Sequence, residues 1–134
     1  MLDGSAALGW CFEDERTPAL DALRLRVAEH GAVVPSLWRL EVANGLLAAV
    51  RRGRLAAERR DALLEALLEM DIAIDAETDR HAWSGTVRLA EVHGLTAYDA
   101  AYLELAQRRR LPLATLDAAL AGAARDAGVV ALSL

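Results

Sequence analysis

Short apolar runs recur along this chain, each separated from the next by a stretch of helical periodicity. That alternation restricts the fold more than any other feature. The runs are Met1-Leu2, Ala32-Val33-Val34, Ile72-Ala73-Ile74, Leu113-Ala114-Thr115-Leu116 and Val129 to Leu132. Strands separated by helices do not pair through tight hairpins; they pair in parallel through crossovers, and the helices cover the sheet. The expected fold is α/β, with a mostly parallel central sheet of about five short strands and helices on both faces. Open sheets of this kind bind ligands beyond the carboxyl ends of their strands.

The helical stretches carry their own start and stop signals. Thr17 with Pro18 opens one that stops at Gly31. Ser36 caps a second, from Leu37 to about Gly53. A third runs from about Ala57 to Met70 with Leu63, Leu64, Leu67 and Leu68 as its apolar stripe. A fourth spans Glu77 to His93 and ends at Gly94. Thr96 opens a fifth, with Asp99 as its capping-box partner. Asp117 opens the last, which ends near Gly128. Trp10, Phe12, Trp38 and Trp83 are expected in the core, as is Cys11. His30 and His93 precede helix-ending glycines and read as capping cations.

The chain's 134 residues suit one domain, residues 1–134, and a 54% hydrophobic content suits a packed core. No apolar run approaches the roughly 18–20 residues of a membrane helix, and no basic stretch precedes an apolar one at the start. A single cysteine excludes an internal disulfide and any cysteine-built metal site. These features point to a cytoplasmic protein. The net charge is −5, and every one of the 15 bases is arginine. A P-loop needs its lysine and a receiver-type phosphoacceptor domain uses one too, so both readings lose support here. An acidic chain is also a poor generic binder of polyanions. A nucleic-acid role would need metal ions and local arginines.

Four carboxylates stand out by position. Asp3 directly follows the first run and Asp117 the fourth. Glu41 lies one turn into the helix after the second run, with Leu37, Trp38, Asn44 and Gly45 as its helical neighbours. Asp99 lies in the first turn of its helix. Each acid also has an ordinary use: Asp3 and Asp117 as caps, Asp99 as the partner of Thr96, Glu41 as a surface residue. A mid-helix glycine at position 45 costs about 1 kcal/mol relative to alanine, which implies close approach by another group. Only the convergence of all four points to a function.

Four stretches carry a family resemblance: Leu2-Asp3-Gly4-Ser5-Ala6, Val34-Pro35-Ser36-Leu37-Trp38-Arg39-Leu40-Glu41-Val42-Ala43-Asn44, His93-Gly94-Leu95-Thr96-Ala97-Tyr98-Asp99-Ala100-Ala101-Tyr102 and Leu113-Ala114-Thr115-Leu116-Asp117. In order and spacing the chain resembles PIN domains, and in particular the VapC toxins of VapBC toxin–antitoxin modules. The resemblance implies a PIN-like three-layer fold and a metal-dependent endoribonuclease cutting tRNA or rRNA. It makes Asp3, Glu41, Asp99 and Asp117 the catalytic and metal-holding set, with Ser5, Asn44 and Thr115 as supporting polar groups. It also implies a VapB-type antitoxin partner and a homodimer. Two departures stand out. Gly4 takes the place of the usual alanine, a change read as harmless. Only Met1 and Leu2 precede Asp3, which implies a late start or a frayed first strand.

Oxygen-only ligands select Mg²⁺ or Mn²⁺ over Zn²⁺. Two arginine clusters, Arg51, Arg52 and Arg54 and then Arg108, Arg109 and Arg110, are candidate RNA contacts, as is Arg39 near Glu41. Trp10, Phe12, Leu37 and Trp38 lie close in sequence to the acids and could line an antitoxin groove. Other readings are another PIN-domain RNA-processing nuclease, a phosphatase similar to the haloacid-dehalogenase group with Asp3 as nucleophile, and a non-enzymatic interaction module. The phosphatase reading lacks its second aspartate, because Ser5 stands there, and its lysine.

Overall fold

The computed structural model describes residues 1–134. Its helices begin where the chain offers caps. Thr17 Oγ1 accepts from Leu20 N at 3.1 Å and starts α2 (Pro18–His30), which Gly31 ends with φ 70°. α1 (Gly4–Gly9) opens immediately after Asp3. α3 (Trp38–Arg51) begins without the expected Ser36 cap. Ser36 Oγ instead donates to Asp79 Oδ1 at 2.9 Å, so its hydroxyl is spent on tying this loop to the first turn of the short helix after the second strand. α4 (Ala57–Leu68) carries the predicted leucine stripe but has no buried residue. Leu63, Leu64 and Leu67 are half-buried, and Leu68 is 66% exposed.

β1 (Ala32–Val34) and β2 (Ile72–Ile74) pair in parallel, with Ala32 opposite Ile72 and Val34 opposite Ile74. These are the only regular strands, so the five-strand expectation is corrected to a two-stranded sheet extended by single bridges. Leu2 bridges Ala114 and Leu113 bridges Ala131, both in parallel, while Leu2 N donates to Val33 O at 3.3 Å. The five apolar runs therefore do lie side by side. Three of them leave the ladder too soon to be strands. Asp3 turns directly into α1, and the backbone N–H groups of Leu116 and Asp117 are taken by the hydroxyls of Ser5 and Thr115. The first run is not frayed. Met1 and Leu2 are buried, and Met1 O accepts from Ala114 N.

The fourth predicted helix is broken into α5 (Thr78–His81), a π-helical turn (Ala82–Thr86) and α6 (Val87–His93). A π turn holds one residue more than an α turn and so shifts which positions face the core. Trp83, expected inside, is 96% exposed within it. Phe12, Trp38 and Cys11 are buried as expected, and Trp10 is half-buried with its Nε1 donating to Leu20 O. α7 (Ala97–Arg109) is buried on every side from Ala100 to Ala106, and α8 (Ala118–Asp126) follows the fourth run. α3 packs on α1 and α4, whereas α7 packs on α5, α6 and α8.

Candidate active site

The carboxyl end of the sheet is where the acids fall, and local hydrogen bonding explains how each is held. Asp3 is buried at the end of the first run. Its Oδ2 accepts from Ser5 Oγ at 2.5 Å and from Thr115 Oγ1 at 2.6 Å. Ser5 sits on the first turn of α1 and Thr115 at the end of the fourth run, so two hydroxyls from two elements fix one carboxylate. Burial raises the Asp3 carboxyl above its ordinary value, and the two hydroxyl bonds oppose that rise.

Glu41 projects from α3 toward α1 and α7. Tyr102, fully buried on α7, donates its O–H to Glu41 Oε2. Burial raises the Glu41 carboxyl. The Tyr102 bond opposes that rise, and the charges of Asp3 and Asp99 add to it. The Tyr102 hydroxyl is itself pushed upward by burial and by Glu41. Asp99 is half-buried in the first turn of α7, where Thr96 Oγ1 accepts from its N–H at 3.1 Å and donates to its Oδ2 at 2.7 Å. This is the predicted cap, and it leaves Asp99 Oδ1 without a protein partner. Asp117 is exposed and caps α8 by accepting from Leu120 N at 2.8 Å. It is joined to Asp3 through Thr115, whose Oγ1 accepts from Asp117 N at 3.0 Å. Asn44 lies exposed one turn after Glu41 on α3. The close approach foreseen at Gly45 comes from Leu8 of α1, whose Cδ1 would lie 2.5 Å from an added Cβ.

The Glu41 carboxyl thus senses the charges of Asp3 and Asp99, and none of the four acids forms an ion pair with an arginine or histidine. As placed, no three of them close around a single point as a ready-made cage. A hard divalent cation does not require one. Mg²⁺ keeps several waters and binds through one or two carboxylates, so an all-oxygen set lacking a counter-cation fits such an ion.

A fifth acid at this sheet edge shows the contrast. Asp75 directly follows β2 and is buried, but Arg108 Nη2 donates to its Oδ2 at 2.7 Å. Burial alone would raise the Asp75 carboxyl; Arg108 carries it below the ordinary value instead. Arg108 also reaches buried Glu104 at 2.9 Å and Glu77 at 3.4 Å, and Arg109 lies 3.6 Å from Asp75. Neither is free to meet RNA as expected. Arg110 ends the same helix in the left-handed region. At about 1.5 Å per residue, α7 sets these three about 14–17 Å from Asp99. Arg54 is likewise engaged, 2.8 Å from both Asp14 and Glu15 and 4.0 Å above the Phe12 ring. Arg39 faces away from Glu41 and lines a groove between α3 and α4 with Trp38, Val42 and Leu64. Arg51 and Arg52 form no ion pair. Arg52 borders a cleft of about 470 Å³ shared with Ser5, Leu8, Gly45, Arg54 and Asp117.

The PIN domain model matches residues 1–126. The chain belongs to the PIN-domain family. It is 40% identical over 121 residues to Ribonuclease VapC3 of Pyrobaculum aerophilum, covering 90% of this chain and 91% of that one. The crystal structure of PAE2754, also from Pyrobaculum aerophilum, superposes with a TM-score of 0.69 at 26% identity, covering 97% of this chain and 81% of that chain. The PIN and VapC-type resemblance read from the four motif stretches is therefore borne out over nearly the whole length. Sequence reading gave Tyr102 no role. The available signal was its spacing three residues after Asp99, which puts both on one face of α7.

Proposed function

We propose that this PIN-domain protein is a metal-dependent endoribonuclease, the toxin of a VapBC-type pair, cutting tRNA or rRNA. The observation that carries the reading is a set of carboxylates at one sheet edge without a cation, beside another acid that has its own arginine. Neighbouring carboxylates, with Asp3 buried and Glu41 and Asp99 half-buried, need protons or cations. In this reading Asp3, Glu41, Asp99 and Asp117 hold Mg²⁺ or Mn²⁺, which lowers the pKa of bound water and stabilises the leaving oxygen of a phosphodiester. Ser5 and Thr115 orient Asp3, and Asn44 lies at the rim as a polar neighbour. Arg52, in the cleft beside Asp117, is the arginine best placed for a phosphate; Arg51 follows the same helix end.

The relative's printed name, Ribonuclease VapC3, supports the same assignment and with it a VapB-type antitoxin, while the homodimer rests on the family resemblance alone. An antitoxin arginine is suited to the site, because a planar guanidinium bonds carboxylates bidentately and competes with the metal. No helix is long and apolar enough to cross a membrane, which suits action on cellular RNA in the cytoplasm. The phosphatase reading requires a second aspartate two residues after Asp3, and Ser5 stands there, bonded to the Asp3 carboxylate. The test is cleavage of purified tRNA and rRNA with Mn²⁺, with p-nitrophenyl phosphate as the competing substrate. RNA cuts without ester hydrolysis support the assignment; the converse overturns it. Growth arrest on expression, relieved by a small protein encoded next to this one, distinguishes a toxin from another RNA-processing nuclease of the family.

A further inference from the structure

Glu41 is held from two sides by residues outside the acidic set. On one side the buried Tyr102 donates its O–H to Oε2. On the other, the side chain lies across the bare Cα of Gly4. A Cβ built there would sit 2.7 Å from both Cδ and Oε1 of Glu41 and 3.2 Å from Cγ. Such approaches lie well inside the roughly 3.5–4.0 Å optimum for non-bonded carbons. The backbone does not require glycine at this position, because φ is not positive there. The position is helical, and alanine would favour the helix. What glycine supplies is the space that the Glu41 carboxylate occupies.

We propose that Gly4 and Tyr102 form a seat that positions Glu41. The tyrosine takes Oε2. Oε1 lies beside the residue that follows Asp3 and is the oxygen left for a divalent ion. Neither Gly4 nor Tyr102 touches the ion or the RNA; they act through Glu41. The ion enters from the nuclease reading above, whereas the seat is a property of the packing of α1, α3 and α7.

Two measurements test it. The first is Mn²⁺ affinity, read from the loss of the free-ion EPR signal. Tyr102→Phe keeps the ring and removes one oxygen, and should weaken Mn²⁺ about tenfold, as loss of groups that orient metal ligands does. Cleavage by the variant should recover at saturating Mn²⁺. Tyr98→Phe, at a residue 70% exposed, should bind as wild type. Wild-type affinity in Tyr102→Phe would overturn the role of the tyrosine. The second is a metal-free melting cycle. Gly4→Ala should lower the melting temperature of the wild type and raise it in a Glu41→Ala background, where the obstructed carboxylate is gone. An equal fall in both backgrounds would overturn the seat. If the wild-type protein neither binds Mn²⁺ nor cuts RNA, the nuclease reading fails, and the melting cycle still decides the seat by itself.

Discussion

Arg108→Met removes one guanidinium and keeps most of its aliphatic stem, and the structure sets the size of the effect. The Asp75 side chain is 2% exposed and that of Glu104 is 9%, while Arg108 bonds both. Breaking a buried pair by removing one partner costs about 3–5 kcal/mol, because the remaining charge is left without compensation. Arg109 at 3.6 Å from Asp75 remains. That places the loss at the lower end, about 3 kcal/mol. A chain of 134 residues unfolds with an entropy near 0.28 kcal/mol/K, so the melting temperature should fall by about 11 °C. The effect has a definite pH dependence. Arg108 holds the Asp75 carboxyl below its ordinary value. The stability this pair contributes is therefore present above the unfolded carboxylate pKa, about 3.9, and is lost as pH falls through the lower folded value. Calorimetry at fixed ionic strength should show the full deficit at pH 7 and a deficit that shrinks as the pH falls below the unfolded carboxylate pKa toward the lower folded one. A fall under 3 °C at pH 7, or an equal fall across that pH range, would refute the reasoning. RNA cleavage per folded molecule should stay at the wild-type level, which separates an ion-pair role for Arg108 from an RNA contact.

Other outcomes follow from the acids and the cleft. Mn²⁺ at 100-fold excess over its dissociation constant should add about 2.7 kcal/mol, or about 10 °C in melting temperature; Asp3→Asn should largely abolish the rise, and an equal rise in both proteins would remove Asp3 from the site. Burial and neighbouring charge raise the Glu41 carboxyl in the folded state, so stability from its protonated form is complete below the unfolded pKa and is lost as pH rises through the folded one. Glu41→Gln should accordingly melt higher than wild type at pH 7 without metal, with the gap closing below the carboxylate range; a variant that melts lower at pH 7 contradicts this. Arg52→Ala should raise KM for RNA and reduce the slope of log affinity against log salt by about 0.7, one single-strand phosphate contact, and an unchanged slope would clear Arg52 of that role.

The sequence disclosed the fold through its punctuation. Thr17-Pro18, Thr96 with Asp99, and Asp117 cap the helices they were expected to cap, because these signals act within one turn. Failures came where a tertiary partner outbids a local one. Ser36 could cap α3 but bonds Asp79, 43 positions away in the chain. Trp83 reads as core by residue type, yet the π turn that carries it leaves it exposed. The arginines show the same limit: Arg54 and Arg108 read as free cations at helix ends and are engaged with acids from other elements. Among the acids, position after an apolar run marked Asp3 and Asp117, but the same rule applies to Asp75 after β2. Only the guanidinium against Asp75 sets it apart, and no spacing in the chain shows that contact. Gly4 is the opposite instance. A change that reads as harmless leaves the space that Glu41 fills.

The most direct test of the account is Mn²⁺-dependent cleavage of RNA by the purified protein, wild type against Asp99→Asn. The substitution keeps the side chain's size and leaves the Thr96 hydroxyl bond to the backbone N–H of residue 99 in place, so folding should survive it. Cleavage should require the metal in the wild type, be blocked by chelation and be lost in the folded variant. Cleavage by Asp99→Asn at the wild-type rate, or cleavage by the wild type that persists in excess chelator, would contradict this expectation.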